Sequence, residues 1–188
     1  MYKRQGIAKY DNPEELSVSD RNNIGYQYTD CPLYWISVIY LNFAEAKAEM
    51  GSLTQDDLNN SINKLQARAG LPAMTTTPDA DPANNMGVSN LIWEIRRCRR
   101  CELIMDNWYR YWDLIRWHQL DKLDSTKYPN TMLGANVSNV PDCEEATKNG
   151  YIDASDAQIR TYEAKHYFYP IPTTQLTLNK NMKQNPGW

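Results

Sequence analysis

The sequence predicts an all-α fold, in which antiparallel helix pairs are joined by long irregular loops and closed by an extended C-terminal tail. Three observations predict it. Apolar residues recur at helical spacing in two blocks, about 33–69 and 89–123, each interrupted once by a short polar or glycine-containing segment. The stretch between them, 72–87, holds three prolines, three consecutive threonines and several Asp and Asn, which is loop chemistry. Finally, Tyr169-Pro170-Ile171-Pro172 cannot be helical, because each proline ring fixes its own φ and biases the preceding residue toward extended backbone.

Residues 1–32 are polar, rich in Asn and Tyr and without steady periodicity, so they read as irregular chain. A helix is predicted from about Leu33 to Met50. Ile36, Tyr40 and Phe43 line one stripe and Val38, Leu41, Ala44 and Ala48 another, so this helix is expected to be covered on two sides. Gly51 ends it. Thr54 then caps a second helix, with Leu53 and Leu58 as a hydrophobic staple and Leu58, Ile62, Leu65 and Ala69 as its buried stripe. Gly70-Leu71-Pro72 stops it. Two helices with so short a link run antiparallel, the unit from which TPR-like stacks are built. Ser89 caps a third helix, stapled by Val88 and Trp93, that runs to about Met105. Asp106-Asn107 interrupts, and a fourth helix follows from about Trp108 to Leu123. Residues 124–188 read as irregular, with one short helix near Ala154–Ala164. The tail ends in Asn185-Pro186-Gly187, which is turn chemistry, and in Trp188, which is expected to dock its ring on the helical body.

A chain of 188 residues buries roughly 70% of its unfolded surface, room for one sizeable core or two small ones. Lys and Arg number 20 against 23 Asp and Glu, a net charge of −3, so no global field draws the chain to nucleic acid or anionic lipid. No stretch approaches ~18 apolar residues, and the N-terminus lacks a basic start followed by an apolar run. Thirteen Tyr and six Trp suit either a sugar-stacking surface or packing between helices.

Four cysteines, at 31, 98, 101 and 143, make no disulfide framework in a chain this long. Cys98 and Cys101 have Cys-x-x-Cys spacing but lack a second pair or a suitably placed His to complete a zinc set. Nearby arginines would lower a thiol pKa; burial as small apolar residues is the competing reading.

The block Glu94–Arg116 carries six arginines and four acids. One reading is an anion or nucleic-acid site, in which guanidinium groups clamp phosphates and Trp rings stack on bases. The other pairs the arginines of one helix with acids of the next, their stems packed on Trp. The near balance of charge favours the second. Catalysis is not expected: His118 and His166 lie in different elements, no nucleophile motif accompanies them, and the eight glycines form no phosphate loop.

Four ordered motifs carry a resemblance. Leu41-Asn42-Phe43-Ala44-Glu45-Ala46, the stretch Ile62–Leu71 with Arg68, the arginine-rich helices holding Arg97, Arg100, Glu102, Arg110, Asp113, Arg116 and Trp117, and the tail with Tyr169, Pro170, Pro172 and Gln184–Trp188 are similar to motifs of the SusD/RagB family of glycan-capturing outer-membrane lipoproteins. Local departures are Cys98 for Glu, Gln66 for Arg, Asp106-Asn107 for Glu-Gly, and Asn179-Lys180 for Asn-Pro.

That resemblance implies a TPR-like arrangement, with residues 1–188 as the C-terminal part of the helical domain and an export signal, lipid-bearing Cys and further helix pairs upstream. It implies a surface protein on the outer membrane, tethered through the lipid anchor of that N-terminal part. Its expected partners are an oligo- or polysaccharide and a TonB-dependent, SusC-like outer-membrane transporter, with no cofactor, no metal and no nucleic acid. The alternative is a TPR-like protein-interaction scaffold with no glycan site of its own. Within this chain the expected ligand contacts are Tyr26 and Tyr28, in the irregular N-terminal segment, and Trp108, at the break between helices.

Overall fold

The computed structural model describes residues 17, 19, 33–106, 108–140, 147–148, 150–153 and 158–188. The chain divides into two compact units, Met1–Thr76 and Thr77–Trp188. The fold is all-α, with one small sheet in the second unit.

In the first unit, α1 spans Ile36–Glu49, α2 Gln55–Asn59 and α3 Ile62–Arg68. Gly51 and Gly70 close α1 and α3 in the same way. Each is left-handed, and each is followed by a residue whose N–H donates five positions back, Ser52 to Lys47 and Leu71 to Gln66. Thr54 and Asp57 form a reciprocal capping box at the start of α2, and Lys47 of α1 pairs with Asp57 at 3.3 Å. Leu41, Ala44, Leu58, Ile62, Leu65 and Met74 are the buried apolar residues of this unit among those described.

Two expectations fail here. The predicted helix 54–69 is broken at Asn60-Ser61, where Ser61 Oγ donates to the Asp57 carbonyl that its own N–H would use in a continuing helix, and that N–H turns to the Leu58 carbonyl instead. And only one stripe of α1 is buried; Ile36, Ile39 and Phe43 are exposed.

In the second unit, α4 spans Asn90–Glu102 and α5 Tyr109–Arg116. Ser89 Oγ accepts from the Ile92 N–H to cap α4. The loop before it is stapled by Asp81, which accepts from Trp93 Nε1 at 2.9 Å. Arg99 Nε donates to Asp113 Oδ2 at 2.6 Å with both side chains buried, locking α4 to α5. Arg96 and Arg116 place their guanidinium carbons over the Trp117 ring at 4.5 and 5.1 Å.

The fourth helix ends at Arg116 rather than Leu123. His118 takes a left-handed conformation and a 3-10 turn, Leu120–Leu123, continues the chain. A three-stranded antiparallel sheet follows in the order β1 Leu133–Asn136, β3 Tyr151–Asp153, β2 Thr147–Lys148, where irregular chain was expected. Residues 158–163 of the expected helix 154–164 are not helical, and 154–157 lie outside the described residues. A 3-10 turn at Ala164–Tyr167 leads into the tail, which carries a further short helix, α6, Thr173–Leu178.

Asp124 ties the turn after α5 to the segment before the tail. It is buried and accepts from the Thr126 hydroxyl and N–H at 2.5 and 2.9 Å and from the Tyr162 N–H at 3.1 Å. These donors, the Thr126 hydroxyl foremost, hold its carboxyl down at about 2. Its folded pKa lies below the unfolded one, so its contribution is full above about pH 4 and is lost as pH falls toward 2. Asp124→Asn is therefore expected to lower the thermal midpoint at pH 7 and to flatten its decline between pH 4 and 2. An unchanged acid limb would contradict the assignment.

The Arg99–Asp113 pair makes a second prediction. Arg99→Leu removes the closest cation from the buried Asp113 carboxylate, leaving it Arg116 at 3.3 Å and the nearby Arg110, and is expected to cost about 3 kcal/mol in urea unfolding. A loss below about 1 kcal/mol, the range of an exposed pair, would show that the contact does not lock the helices.

Candidate functional site

The two prolines of the tail leave Ile171 as the one residue of 170–172 with an N–H to place, and one side chain satisfies both of its backbone groups. The Ile171 N–H donates to Gln184 Oε1 at 2.8 Å, and Gln184 Nε2 donates to the Ile171 carbonyl at 2.9 Å. Asn185 Nδ2 donates to the Tyr169 carbonyl at 2.7 Å. Pro186 and left-handed Gly187 then form a turn closed by the Trp188 N–H on the Asn185 carbonyl. That turn returns the Trp188 ring to the start of the tail, where Nε1 donates to the carbonyls of Lys165 and Phe168 at 3.1 and 3.0 Å. The ring meets His166 edge-on at 5.9 Å and lies under Lys165 Nζ at 5.2 Å. Trp188 thus docks on the tail's own 3-10 turn, where the helical body was expected.

The closed tail, Tyr111 of α5 and the 3-10 turn after α5 line a cleft of about 360 Å³. Leu120 and Leu123 give it apolar lining. Tyr111 of α5, Tyr162, His166, Phe168, Tyr169 and Trp188 surround it with rings, and Arg160 and Thr161 add polar groups. Phe168 and Tyr169 are 54% and 70% exposed and Trp188 46%, so much of this ring area is open to a ligand. Each wall is anchored. Tyr167 Oη accepts from the Leu120 N–H at 3.2 Å, Asp124 holds Tyr162, and Ser125 Oγ accepts from the Arg160 N–H at 3.0 Å. The Tyr111 and Tyr169 hydroxyls are 3.5 Å apart across the mouth.

The Tyr162 and Tyr111 phenols stay protonated. The Tyr162 hydroxyl is pushed up to about 12, by burial first and then by Tyr167. That of Tyr111 is raised by its contact with the Tyr169 hydroxyl and by burial. The lining therefore offers neutral rings for stacking and hydroxyls that both donate and accept.

Of the residues singled out from sequence, Tyr169 and Pro170 line the cleft and Pro172 stiffens the wall behind it. Trp108 does not line it. It is 81% exposed, held outward by a left-handed backbone that costs a bulky residue about 1–2 kcal/mol. Tyr26 and Tyr28 lie outside the described residues. Glu45 is buried at α1 in the first unit, and Arg68 is exposed at the end of α3. Arg97 binds Glu94 through two nitrogens, Arg100 is exposed and Glu102 and Arg110 half-buried, and Asp113, Arg116 and Trp117 belong to the α4–α5 lock. Cys98 is half-buried, and burial, with Glu94 adding to it, pushes its thiol up to about 11, against the lowering that neighbouring arginines suggested. Cys31 and Cys143 lie outside the described residues. Among the described residues no three of His, Cys, Asp and Glu gather as metal ligands, and no helix is long and apolar enough to cross a membrane.

Sequence reasoning missed Tyr111, Tyr162, His166 and Arg160 as cleft residues. They lie in separate elements between positions 111 and 166, and no local pattern signals that they meet.

A model of the SusD family matches residues 6–188 of the chain. Among solved structures the chain is similar to a SusD-like protein (BF3747) from Bacteroides fragilis NCTC 9343, with 24% identity and a TM-score of 0.55, covering 81% of this chain and 25% of that one. It is also similar to BT4246, with 25% identity and a TM-score of 0.52, covering 83% of this chain and 23% of that one. The chain thus spans about a quarter of the length of these structures. No curated protein matches it.

Proposed function

The chain belongs to the SusD family, and from that membership we propose that it is part of a glycan-binding component of a nutrient-uptake system, holding an oligo- or polysaccharide without altering it. In this reading the whole protein sits on the outer-membrane surface through a lipid anchor and passes its glycan to a TonB-dependent, SusC-like transporter. The observation that carries the reading is the cleft of exposed rings between α5 and the closed tail. A sugar ring has an apolar C–H face and a rim of hydroxyls. Tyr169, Phe168 and Trp188 supply apolar area for the face, and the Tyr111 and Tyr169 hydroxyls supply partners for the rim.

A second reading, a protein-interaction scaffold, has its own support. Tyr34 just before α1 and Ile36, Ile39 and Phe43 on it are exposed, and Ile104, Met105, Trp108 and Trp112 are exposed around the α4–α5 corner, which is more apolar surface than scattered single residues leave. In the glycan reading these faces serve contacts to protein, the transporter included.

Calorimetric titration with a panel of oligosaccharides separates the readings. The chain is expected to bind at least one of them, and Tyr169→Ala to weaken that binding about tenfold, since a stacked ring contributes about 1 kcal/mol or more. Thermal stability is expected to be unchanged, because the Tyr169 ring is mostly exposed. Absence of binding across the panel, or binding indifferent to Tyr169, would leave the scaffold reading.

A further inference from the structure

The cleft is not electrically neutral. Of the side chains lining it, that of Arg160 carries a full charge, and none is an Asp or a Glu. The other ionic groups nearby are already engaged. Lys165 pairs with Glu163 at 3.2 Å while lying over the Trp188 ring, Asp124 is filled by donors from Thr126, Lys127 and Tyr162, and His166 Nδ1 accepts from the Glu163 N–H at 2.9 Å. Asp121 lies near enough to raise the Tyr162 pKa but does not line the cleft.

Arg160 differs from all of these. Its backbone is held at both ends by Ser125, whose hydroxyl accepts from the Arg160 N–H and whose N–H donates to the Arg160 carbonyl at 2.9 Å. Its guanidinium has no ion pair or hydrogen bond among the described residues. The chain therefore fixes the root of a cationic side chain at the edge of a ring-lined cleft, and among the described residues nothing pairs with its charge.

Resting on the glycan reading above, we propose that the cleft selects an acidic sugar, a uronic-acid residue whose carboxylate is read by Arg160 while its ring stacks on the aromatic wall. A guanidinium presents parallel N–H groups in one plane, a match for the two oxygens of a carboxylate. The Tyr111 and Tyr169 hydroxyls, also in the lining, remain for the sugar hydroxyls. Since Arg160 is solvent-exposed, its charge is partly screened and its share of the affinity is modest.

The test compares a galacturonic-acid tetrasaccharide with its carboxyl-reduced counterpart, which keeps the linkage and loses only the charge, and with a sulfated tetrasaccharide of the same neutral backbone. The 188-residue chain is expected to bind the uronate about fivefold more tightly than the reduced sugar, with a preference that shrinks as salt is raised. Arg160→Gln is expected to abolish that preference while leaving affinity for the reduced sugar unchanged, and Arg160→Lys to restore only part of it. Equal binding of uronate and reduced sugar by the unaltered chain, or a preference that survives Arg160→Gln, overturns the acidic-sugar assignment and leaves the glycan reading standing. Equal, Arg160-dependent binding of the sulfated sugar overturns the carboxylate assignment. Binding of none of the three, together with silence across the neutral panel, overturns the glycan reading and this inference with it.

Discussion

A single carboxamide decides whether the tail is a wall or a loose end. Pro170 and Pro172 stiffen the segment but bring no N–H of their own, so neither helix nor sheet can absorb it. Gln184 answers this by satisfying both backbone groups of Ile171, imitating the edge of a strand with one side chain. From that contact follow the aim of Tyr169, the turn at Asn185–Gly187 and the return of Trp188 onto the carbonyls of Lys165 and Phe168. The first unit uses the same device independently: buried Asn63 accepts from the Met74 N–H and donates to its carbonyl at 2.7 and 3.1 Å, pinning the chain beyond α3. In both places irregular backbone is held by an amide that both donates and accepts, which gives it the definition of secondary structure without the length.

The helical part supplies the other side of the cleft. Tyr111 projects from α5, and α5 is held against α4 by the buried Arg99–Asp113 pair and by guanidinium groups over Trp117. Within the arginine-rich block Arg97 pairs with Glu94, Arg99 and Arg116 pair with Asp113, and Arg96 and Arg116 lie over Trp117. The cleft itself has stacking area, neutral hydroxyls and one cation. That combination suits recognition of a polar ring compound by shape and hydrogen bonding.

Much of the local structure was legible in the sequence because its causes are local. Thr54 with Asp57, Ser89, Gly51, Gly70 and the Asn185–Gly187 turn act where their residue types say they should. What was not legible depended on competition or on distance. The break at Asn60-Ser61 arises because the short Ser61 hydroxyl wins the carbonyl that helix periodicity assigns to its own backbone N–H. The shortened α5 depends on His118 entering a left-handed conformation that its residue type does not announce. The small sheet pairs strands of two to four residues across a longer connection, with too little alternation to read. The cleft is the extreme case. Its rings are visible in the sequence as Tyr, Phe, His and Trp, but only the folded tail brings Trp188 and Tyr169 to Tyr111.

The six Trp residues allow a direct measurement of where a glycan sits. In the chain carrying nitrogen-15-labelled indoles, titration with a bound oligosaccharide is expected to shift the Trp188 resonance progressively to saturation and to leave that of outward-facing Trp108 in place. A shift at Trp108 with Trp188 unmoved would contradict the claim that the closed tail forms the binding site.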